Sequence, residues 1–119
     1  MNQNIKIESV HTTLDAKTKK YIEACVARLL KFIPRKDRKA ATFNVKIVQQ
    51  SSKEQSNIQA QIILDLPGKQ LVAKSYADGI LGGADEVSEK MRGVLRRYKT
   101  ELLKERENHG FLKRIARRK

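Results

Sequence analysis

The residues best spaced for acid–base or metal chemistry are Asp85 and Glu89, which lie four positions apart in a segment with helical periodicity. Residues four apart share one face of a helix, and two carboxylates there could bind a divalent cation or act as an acid–base pair. Acidic residues early in a helix also offset the positive end of its dipole, and Glu86 is spaced to pair with Lys90. We favour the structural role, in which these acidic residues stabilise the start of the helix, because no further acid–base groups accompany the pair.

The remaining reactive side chains form no catalytic or metal-binding pattern. His11 and His109 lie towards opposite ends of the chain, and no pair of Cys or His has metal-ligand spacing. Cys25 falls on an apolar helical stripe, where it is expected to pack as a small hydrophobic residue. The run Gly-Ile-Leu-Gly-Gly at 79–83 lies between a strand and a helix but lacks both glycine-rich phosphate-binding motifs. The sequence therefore predicts no enzyme activity, no metal and no cofactor.

The net charge of the 119-residue chain is +13, from 26 Lys and Arg against 13 Asp and Glu. Residues 1–39 hold ten basic and four acidic residues, residues 40–89 hold four and six, and residues 90–119 hold twelve and three. These two basic blocks indicate a polyanionic partner, nucleic acid first and an anionic membrane surface second. The longest apolar run, four residues, is too short for a membrane span. A single Cys fits a reducing cytoplasm.

Four segments alternate between apolar and polar residues, which is the pattern of strands buried on one face. They cover residues 4–10, 42–50, 58–65 and 71–75. A polar Ser/Gln-rich stretch and a Pro-Gly turn are predicted to connect the last three. The inner faces of these three strands are predicted to hold Phe43, Val45, Ile47, Ile58, Ala60, Ile62, Leu64, Leu71, Ala73 and Ser75.

Two further segments carry apolar residues at spacings of three and four, which predicts amphipathic helices. In the first, Asp15 is the candidate N-cap. Pro34 cannot continue the hydrogen-bond ladder and disfavours helical geometry at Ile33, so the helix is expected to end there. The following residues, 35–39, are predicted to form a basic loop.

The second helix is predicted to begin within residues 79–84, with Asp78 as its candidate cap, and to close at Asn-His-Gly, residues 108–110. Its start is left open because three glycines weaken it by about 1 kcal/mol each relative to Ala. The chain is accordingly divided into an α/β domain over residues 1–108 and a basic tail over residues 109–119.

The element order β-α-β-β-β-α predicts an α+β fold with a four-stranded mixed sheet. The first two strands are joined through a helix, so they should be parallel, whereas the last three should form an antiparallel meander. Each helix has one apolar stripe, so both are expected to pack on the same face of the sheet.

The basic residues of both helices fall mostly off the apolar stripes. If the helices lie side by side, these cations form one broad positive surface suited to the shape and phosphates of a folded RNA. Stacking on bases is less favoured, because Phe43 and Tyr98 are expected to be buried. The candidate RNA-binding residues are Lys20, Arg28, Lys31, Lys90, Arg92, Arg96, Arg97 and Lys99.

Over residues 4–103 the sequence resembles the short form of the ribosome hibernation-promoting factor and ribosome-associated inhibitor family. The clearest part is the second helix, where Asp85, Glu89-Lys90-Met91, Leu95, Arg97 and Lys99 fall into the register of the family. On the first helix, Arg28-Leu29 matches a basic-Leu pair and Phe32-Ile33 an aromatic end. Leu81 stands where the family usually has Tyr, and Gly82-Gly83 where it has two Ala.

This resemblance implies a protein that binds the small ribosomal subunit and its rRNA, in the channel used by mRNA and tRNAs. Translation would be blocked by occupancy and idle ribosomes preserved, with no reaction catalysed and no small-molecule substrate. By the resemblance, Arg28, Lys90, Arg97 and Lys99 are the best RNA contacts, whereas the charge argument adds Lys31, Arg92 and Arg96. The protein is expected to be cytoplasmic and a monomer off the ribosome.

Three alternatives stay open. The order of elements α-β-β-β-α is also similar to that of a free-standing double-stranded RNA-binding module. An enzyme acting on a nucleotide or phosphorylated substrate would use Asp85 and Glu89, and its turnover would be lost in an Asp85→Ala variant. The tail over residues 111–119 could lie on a membrane surface, although it is short for stable interfacial binding.

Overall fold

The strands and helices follow one another in the predicted order in the computed structural model, which describes residues 4–50 and 57–117, with side chains as far as Leu102. The elements are β1 (Ile5–Val10), α1 (Ala16–Ala27), a 3₁₀ segment (Arg28–Phe32), α2 (Arg35–Arg38), β2 (Thr42–Gln49), β3 (Ile58–Leu66), β4 (Lys69–Ala77) and α3 (Ile80–Arg117). The α+β class and the β-α-β-β-β-α order of the principal elements are thereby confirmed.

The four strands form one sheet in the order β1-β2-β3-β4. β1 and β2 are parallel, and the other two pairs are antiparallel, as predicted. The register places Ile5, Phe43, Leu64 and Leu71 in one row across the sheet. Since side chains alternate between faces, this row and every second row parallel to it point to the same side.

The core lies between that face of the sheet and the helices. All ten residues predicted for the inner faces are buried. The apolar stripe of the first helix contributes Ile22, Val26, Leu29 and Ile33, and that of α3 contributes Ala84, Val87, Met91 and Leu95. Both helices therefore pack on one face of the sheet, and burial of each large apolar side chain contributes about 1.5–3 kcal/mol.

The first helix begins where its sequence indicates, and its helical conformation ends ahead of Pro34 as predicted, although its last part is the 3₁₀ segment. The Asp15 carboxylate accepts a hydrogen bond of 2.7 Å from the Thr18 amide. Hydrogen bonding to the Thr18 side chain, and then to its amide, holds the pKa of Asp15 below its usual value. After Ala27 the helix tightens into the 3₁₀ segment, and Ile33 is extended ahead of Pro34.

The prediction of a basic loop over residues 35–39 is wrong, because Arg35–Arg38 forms a helical turn, α2. The Asp37 amide donates to the Pro34 carbonyl at 2.9 Å, which closes the turn. The Arg38 guanidinium donates to the carbonyls of Ile33 at 2.9 Å and Lys31 at 3.2 Å. These bonds satisfy carbonyls left free where the 3₁₀ segment ends, and they fix α2 against it.

The second predicted helix, α3, begins early in its expected range. The Gly83 amide donates to the Gly79 carbonyl at 2.9 Å, so the first helical residue is Ile80. A Cβ at Gly83 would lie 3.4 Å from Cγ2 of Ile58 and 3.5 Å from Cβ of Ala60. The glycine therefore lets α3 pack closely on β3, and that packing offsets its low helix propensity.

The end of α3 differs from the prediction. The helix continues through residues 108–110 to Arg117, because a single glycine lowers helix stability by only about 1 kcal/mol and no proline follows it. The boundary between residues 108 and 109 therefore falls inside a helix, and the division into domain and tail stays a functional prediction. Residues 118–119 of the predicted tail lie outside the described residues.

The hairpin between β2 and β3 is closed by a hydrogen bond of 2.7 Å from the Gln50 amide to the Asn57 carbonyl. Most of the predicted polar loop, residues 51–56, lies outside the described residues. In the next turn Gly68 has a φ of 75°, which explains the glycine at that position. No helix in the described part of the chain is both long and apolar enough to cross a membrane.

Candidate nucleic-acid interface

A side-chain contact joins α1 and α3, which lie side by side. The Tyr21 hydroxyl on α1 donates a hydrogen bond of 2.6 Å to Oδ1 of Asp85 on α3. The Cys25 thiol lies 3.6 Å from the same oxygen. Asp85 is thus an acceptor between the helices, a role for which the sequence offers no signal because Tyr21 lies 64 positions away.

The surroundings of Cys25 favour an uncharged thiol. Burial, followed by the negative charge of Asp85, raises the pKa of Cys25. Since the thiolate is the nucleophilic form, this environment opposes nucleophilic chemistry. The prediction that Cys25 packs in the core is confirmed, because it is buried under α3.

The carboxylates on the first turns of α3 point in different directions. Glu86 accepts a hydrogen bond of 2.8 Å from the buried hydroxyl of Ser75 on β4, and the Lys90 ammonium donates to the Lys74 carbonyl at 3.0 Å. The predicted Glu86–Lys90 pair is therefore wrong, since both side chains reach β4 instead. Among the described residues no three His, Cys, Asp or Glu side chains cluster as metal ligands would.

A cleft opens between the 3₁₀ segment and α3, and its volume is about 250 Å³. We call it the interhelical cleft; the residues around it include Arg28, Lys31, Phe32, Ser88, Glu89 and Arg92. Three of the eight predicted RNA-binding residues, Arg28, Lys31 and Arg92, thus converge on one site from two elements that are distant in sequence.

Phe32 organises two of these cations. The Lys31 ammonium lies 5.3 Å and the Arg92 guanidinium carbon 5.2 Å from the centroid of its ring. Cation–π contacts of this length orient a cation without neutralising its charge. Arg92 also lies 3.7 Å from the Glu89 carboxylate, but both side chains are solvent-exposed, at 41% and 73%. An exposed pair at that distance contributes little, so Arg92 can exchange Glu89 for another anion.

A second pocket, of about 210 Å³, continues the basic surface towards the end of the described side chains. Lys31 and Lys99 line it together with Arg38. Arg96 is exposed and follows Arg92 by four residues, about one turn, so it extends the same side of α3. The interhelical cleft and this second pocket together form a groove between the helical segments. Five predicted residues therefore lie in or beside this groove.

The other three predicted residues lie elsewhere on the helical layer. Lys90 reaches towards β4, and Arg97 follows it by seven residues, about two turns, on that same side of α3. Lys20 is exposed on α1, outside the interhelical cleft. The predicted single broad positive surface is therefore divided into two parts: most of its cations lie along the groove, and Lys90 and Arg97 lie on a separate flank along β4.

The opposite face of the sheet has a different character. It carries charges of both signs, with Glu8 beside Lys46 on adjacent strands and Asp65 beside Gln70. Of the aromatic residues, Phe43 is buried as predicted, whereas Tyr76 on this face is half exposed, a feature that sequence reasoning missed. The groups that can gather phosphates are therefore concentrated on the helical side.

Comparisons with known proteins agree with this architecture. The family model described as sigma 54 modulation protein / S30EA ribosomal protein matches residues 5–103. The fold is similar to the N-terminal domain of Protein Y from Thermus thermophilus, with a TM-score of 0.65 and 16% identity over 81% of this chain and 99% of that one. It is also similar to a ribosomal subunit interface protein from Coxiella burnetii, with a TM-score of 0.63 and 19% identity over 81% and 97% of the two chains. No curated protein sequence matches the chain.

Proposed function

Because this chain belongs to the sigma 54 modulation protein / S30EA ribosomal protein family, we propose that it inhibits translation by binding the small ribosomal subunit. In this proposal it contacts rRNA in the channel used by mRNA and tRNAs, and it keeps idle ribosomes from initiating. The family is ribosome-associated, and its match confirms the resemblance seen in the sequence. The structural neighbour from Coxiella burnetii is a ribosomal subunit interface protein, which supports the same location here.

The convergence of Arg28, Lys31 and Arg92 on the interhelical cleft is the observation that carries the proposal. RNA presents a dense row of phosphates, and neutralising several of them with Lys and Arg releases counterions and favours association. The groove between α1 and α3 supplies these cations on a rigid, sheet-backed surface. Inhibition then requires only occupancy, because a domain seated in the channel excludes mRNA and tRNA without any chemical step.

The flank of α3 that faces β4 supplies a second set of contacts in this proposal. Lys90 and Arg97 lie there, about two turns apart, while Lys20 extends the surface along α1. An RNA partner that meets both sides of α3 must surround the helical layer. A channel between two rRNA walls has that geometry, whereas a single duplex lying against one face does not.

A pelleting assay with purified small subunits tests the function. We expect the protein to co-sediment with small subunits at low salt, to be released at high salt, and to compete with tRNA. Equal affinity for free duplex RNA, with no competition by tRNA, would instead support the alternative of a free-standing RNA-binding protein. The protein is proposed to act as a cytoplasmic monomer, and sedimentation of the unbound protein measures its oligomeric state.

A further inference from the structure

Two polar atoms beside the interhelical cleft lack the partners that buried polar atoms normally have. Oγ of Ser88 and Nε of Arg92 are enclosed by protein, yet neither makes a hydrogen bond within the described part of the chain. Most buried polar groups are paired, and an unpaired one commonly marks the place of a water or an ion. Both residues line the same cleft, together with Arg28 and Lys31.

We propose that the interhelical cleft is a seat for one phosphate group, held by Arg28, Lys31 and Arg92 with the hydroxyl of Ser88. Guanidinium groups bind phosphate through two parallel N–H bonds, and a hydroxyl can donate a third. The inference deepens the proposed function, on which it rests for its natural ligand, because an rRNA phosphodiester would supply the group. The terminal phosphate of a free nucleotide carries the same chemistry.

The volume of the cleft fits this use. About 250 Å³ equals the space of about eight water molecules at about 30 Å³ each, enough for a phosphate with part of its hydration shell. Phe32 forms one wall and carries the Arg92 guanidinium 5.2 Å from its ring centroid. The hydroxyl hydrogen of Ser88 rotates freely about the Cβ–Oγ bond, so it can turn towards a phosphate oxygen in the cleft.

The two carboxylates of the cleft do not oppose the proposal equally. Asp85 is engaged by the Tyr21 hydroxyl at 2.6 Å and lies towards α1. Glu89 is 73% exposed and only 3.7 Å from Arg92, so it acts as a weak internal stand-in for the anion. A phosphate would displace Glu89 from Arg92, and the side chain would turn into solvent.

Titration of the full chain with inorganic pyrophosphate, followed by NMR, tests the seat. We expect saturable shifts centred on the Ser88 amide and on the Arg92 Nε–H signal, which reports directly on the unpaired atom. Arg92→Gln should weaken binding about tenfold, as should Ser88→Ala, since each removes a hydrogen bond to a charged group. Glu89→Gln should strengthen binding, because the internal competitor loses its charge.

Lys46→Gln is the matched control, since it removes one positive charge from the opposite face of the sheet. Its pyrophosphate affinity should equal that of the unmodified protein. Equal losses in Lys46→Gln and Arg92→Gln, or shifts spread over all basic residues, would overturn the seat in favour of non-specific attraction. If the Ser88→Ala variant bound pyrophosphate with unchanged affinity, the Ser88 hydroxyl would not be part of the phosphate seat.

Two further binding experiments determine whether the phosphate belongs to RNA or to a free nucleotide. A short oligoribonucleotide that shifts the same Ser88 and Arg92 signals, and pyrophosphate that weakens co-sedimentation, assign the seat to RNA. A nucleoside triphosphate that saturates the cleft without affecting co-sedimentation assigns it to free nucleotides. If the protein co-sediments with small subunits but shows no pyrophosphate site, the phosphate seat is refuted and the proposed function stands. If it binds pyrophosphate in the cleft but does not co-sediment, the seat stands and the proposed function is refuted.

Discussion

The Tyr21 hydroxyl on α1 lies 2.6 Å from Oδ1 of Asp85 on α3 and donates a hydrogen bond to it. The Cys25 thiol approaches the same oxygen at 3.6 Å. This contact ties the two helices together at one end of the interhelical cleft and so helps to set the distance between Arg28 and Arg92. The residue that the sequence marks as a possible catalytic acid is therefore a structural acceptor.

The first prediction concerns the titration of Tyr21. The hydrogen bond to Asp85 raises the pKa of Tyr21 from its ordinary value of 10.0 to about 12. Because the pKa is higher in the folded state, stability from this group is complete below pH 10 and is lost as the pH rises towards 12. Difference titration of tyrosinate absorbance between the unmodified protein and Tyr21→Phe should show a late-titrating group. In Asp85→Asn that group should titrate earlier; an unshifted titration would contradict the assignment.

The second prediction concerns the two sides of α3. Reversing the charges of Arg97 and Lys99 together should weaken small-subunit binding strongly and leave the melting temperature unchanged, because both side chains are exposed. Each lost phosphate contact should also reduce the salt slope by about one. The matched control is Lys46→Glu with Lys74→Glu on the opposite sheet face. If both double variants lose affinity equally, the assignment of these RNA-binding residues is wrong.

The third prediction is the salt dependence of ribosome binding. If about six phosphates are neutralised, the logarithm of the affinity should fall with the logarithm of salt concentration at a slope of about −4 to −5. Co-sedimentation over a series of KCl concentrations measures this slope. A slope near zero would show that phosphate contacts do not drive association.

The fourth prediction contrasts two glycines of α3. A Cβ at Gly93 meets no atom within 4 Å beyond its chain neighbours and the backbone of its own helix, so Gly93→Ala should raise the free energy of unfolding by about 1 kcal/mol through helix propensity alone. At Gly83 a Cβ would already touch Ile58 at 3.4 Å, so Gly83→Leu should destabilise the protein by about 1–3 kcal/mol through overpacking. Chemical denaturation measures both. Stabilisation by Gly83→Leu would contradict the close packing of α3 on β3.

The strands and their inner faces were predictable because their signal is local. Alternation with a period of two places Phe43, Val45 and Ile47 on one face whatever lies across from them. The N-cap at Asp15 and the stop at Pro34 were predictable for the same reason, since each acts within one turn. The end of α3 was not, because Gly110 alone is too weak a signal to stop a helix.

The groove and its cleft were only partly predictable. Periodicity shows that Arg92 and Arg97 avoid the apolar stripe and lie on opposite flanks of α3, but it does not show which flank faces the 3₁₀ segment and which faces β4. That outcome depends on how α3 is rotated about its axis when Met91 and Leu95 are buried. Ser75 likewise reads as an inner-face strand residue, and only the packed helix reveals Glu86 as the acceptor of its hydroxyl.

By itself the sequence determined the basic character of the protein, its order of strands and helices, its core faces and its family resemblance, because charge and periodicity are properties of neighbouring residues. Only the tertiary structure decided that Arg28, Lys31 and Arg92 share one cleft while Lys90 and Arg97 face β4. Such contacts join residues about 60 positions apart, such as Tyr21 and Asp85. They arise when two helices pack on one sheet, and no single segment of the sequence determines the geometry of that packing.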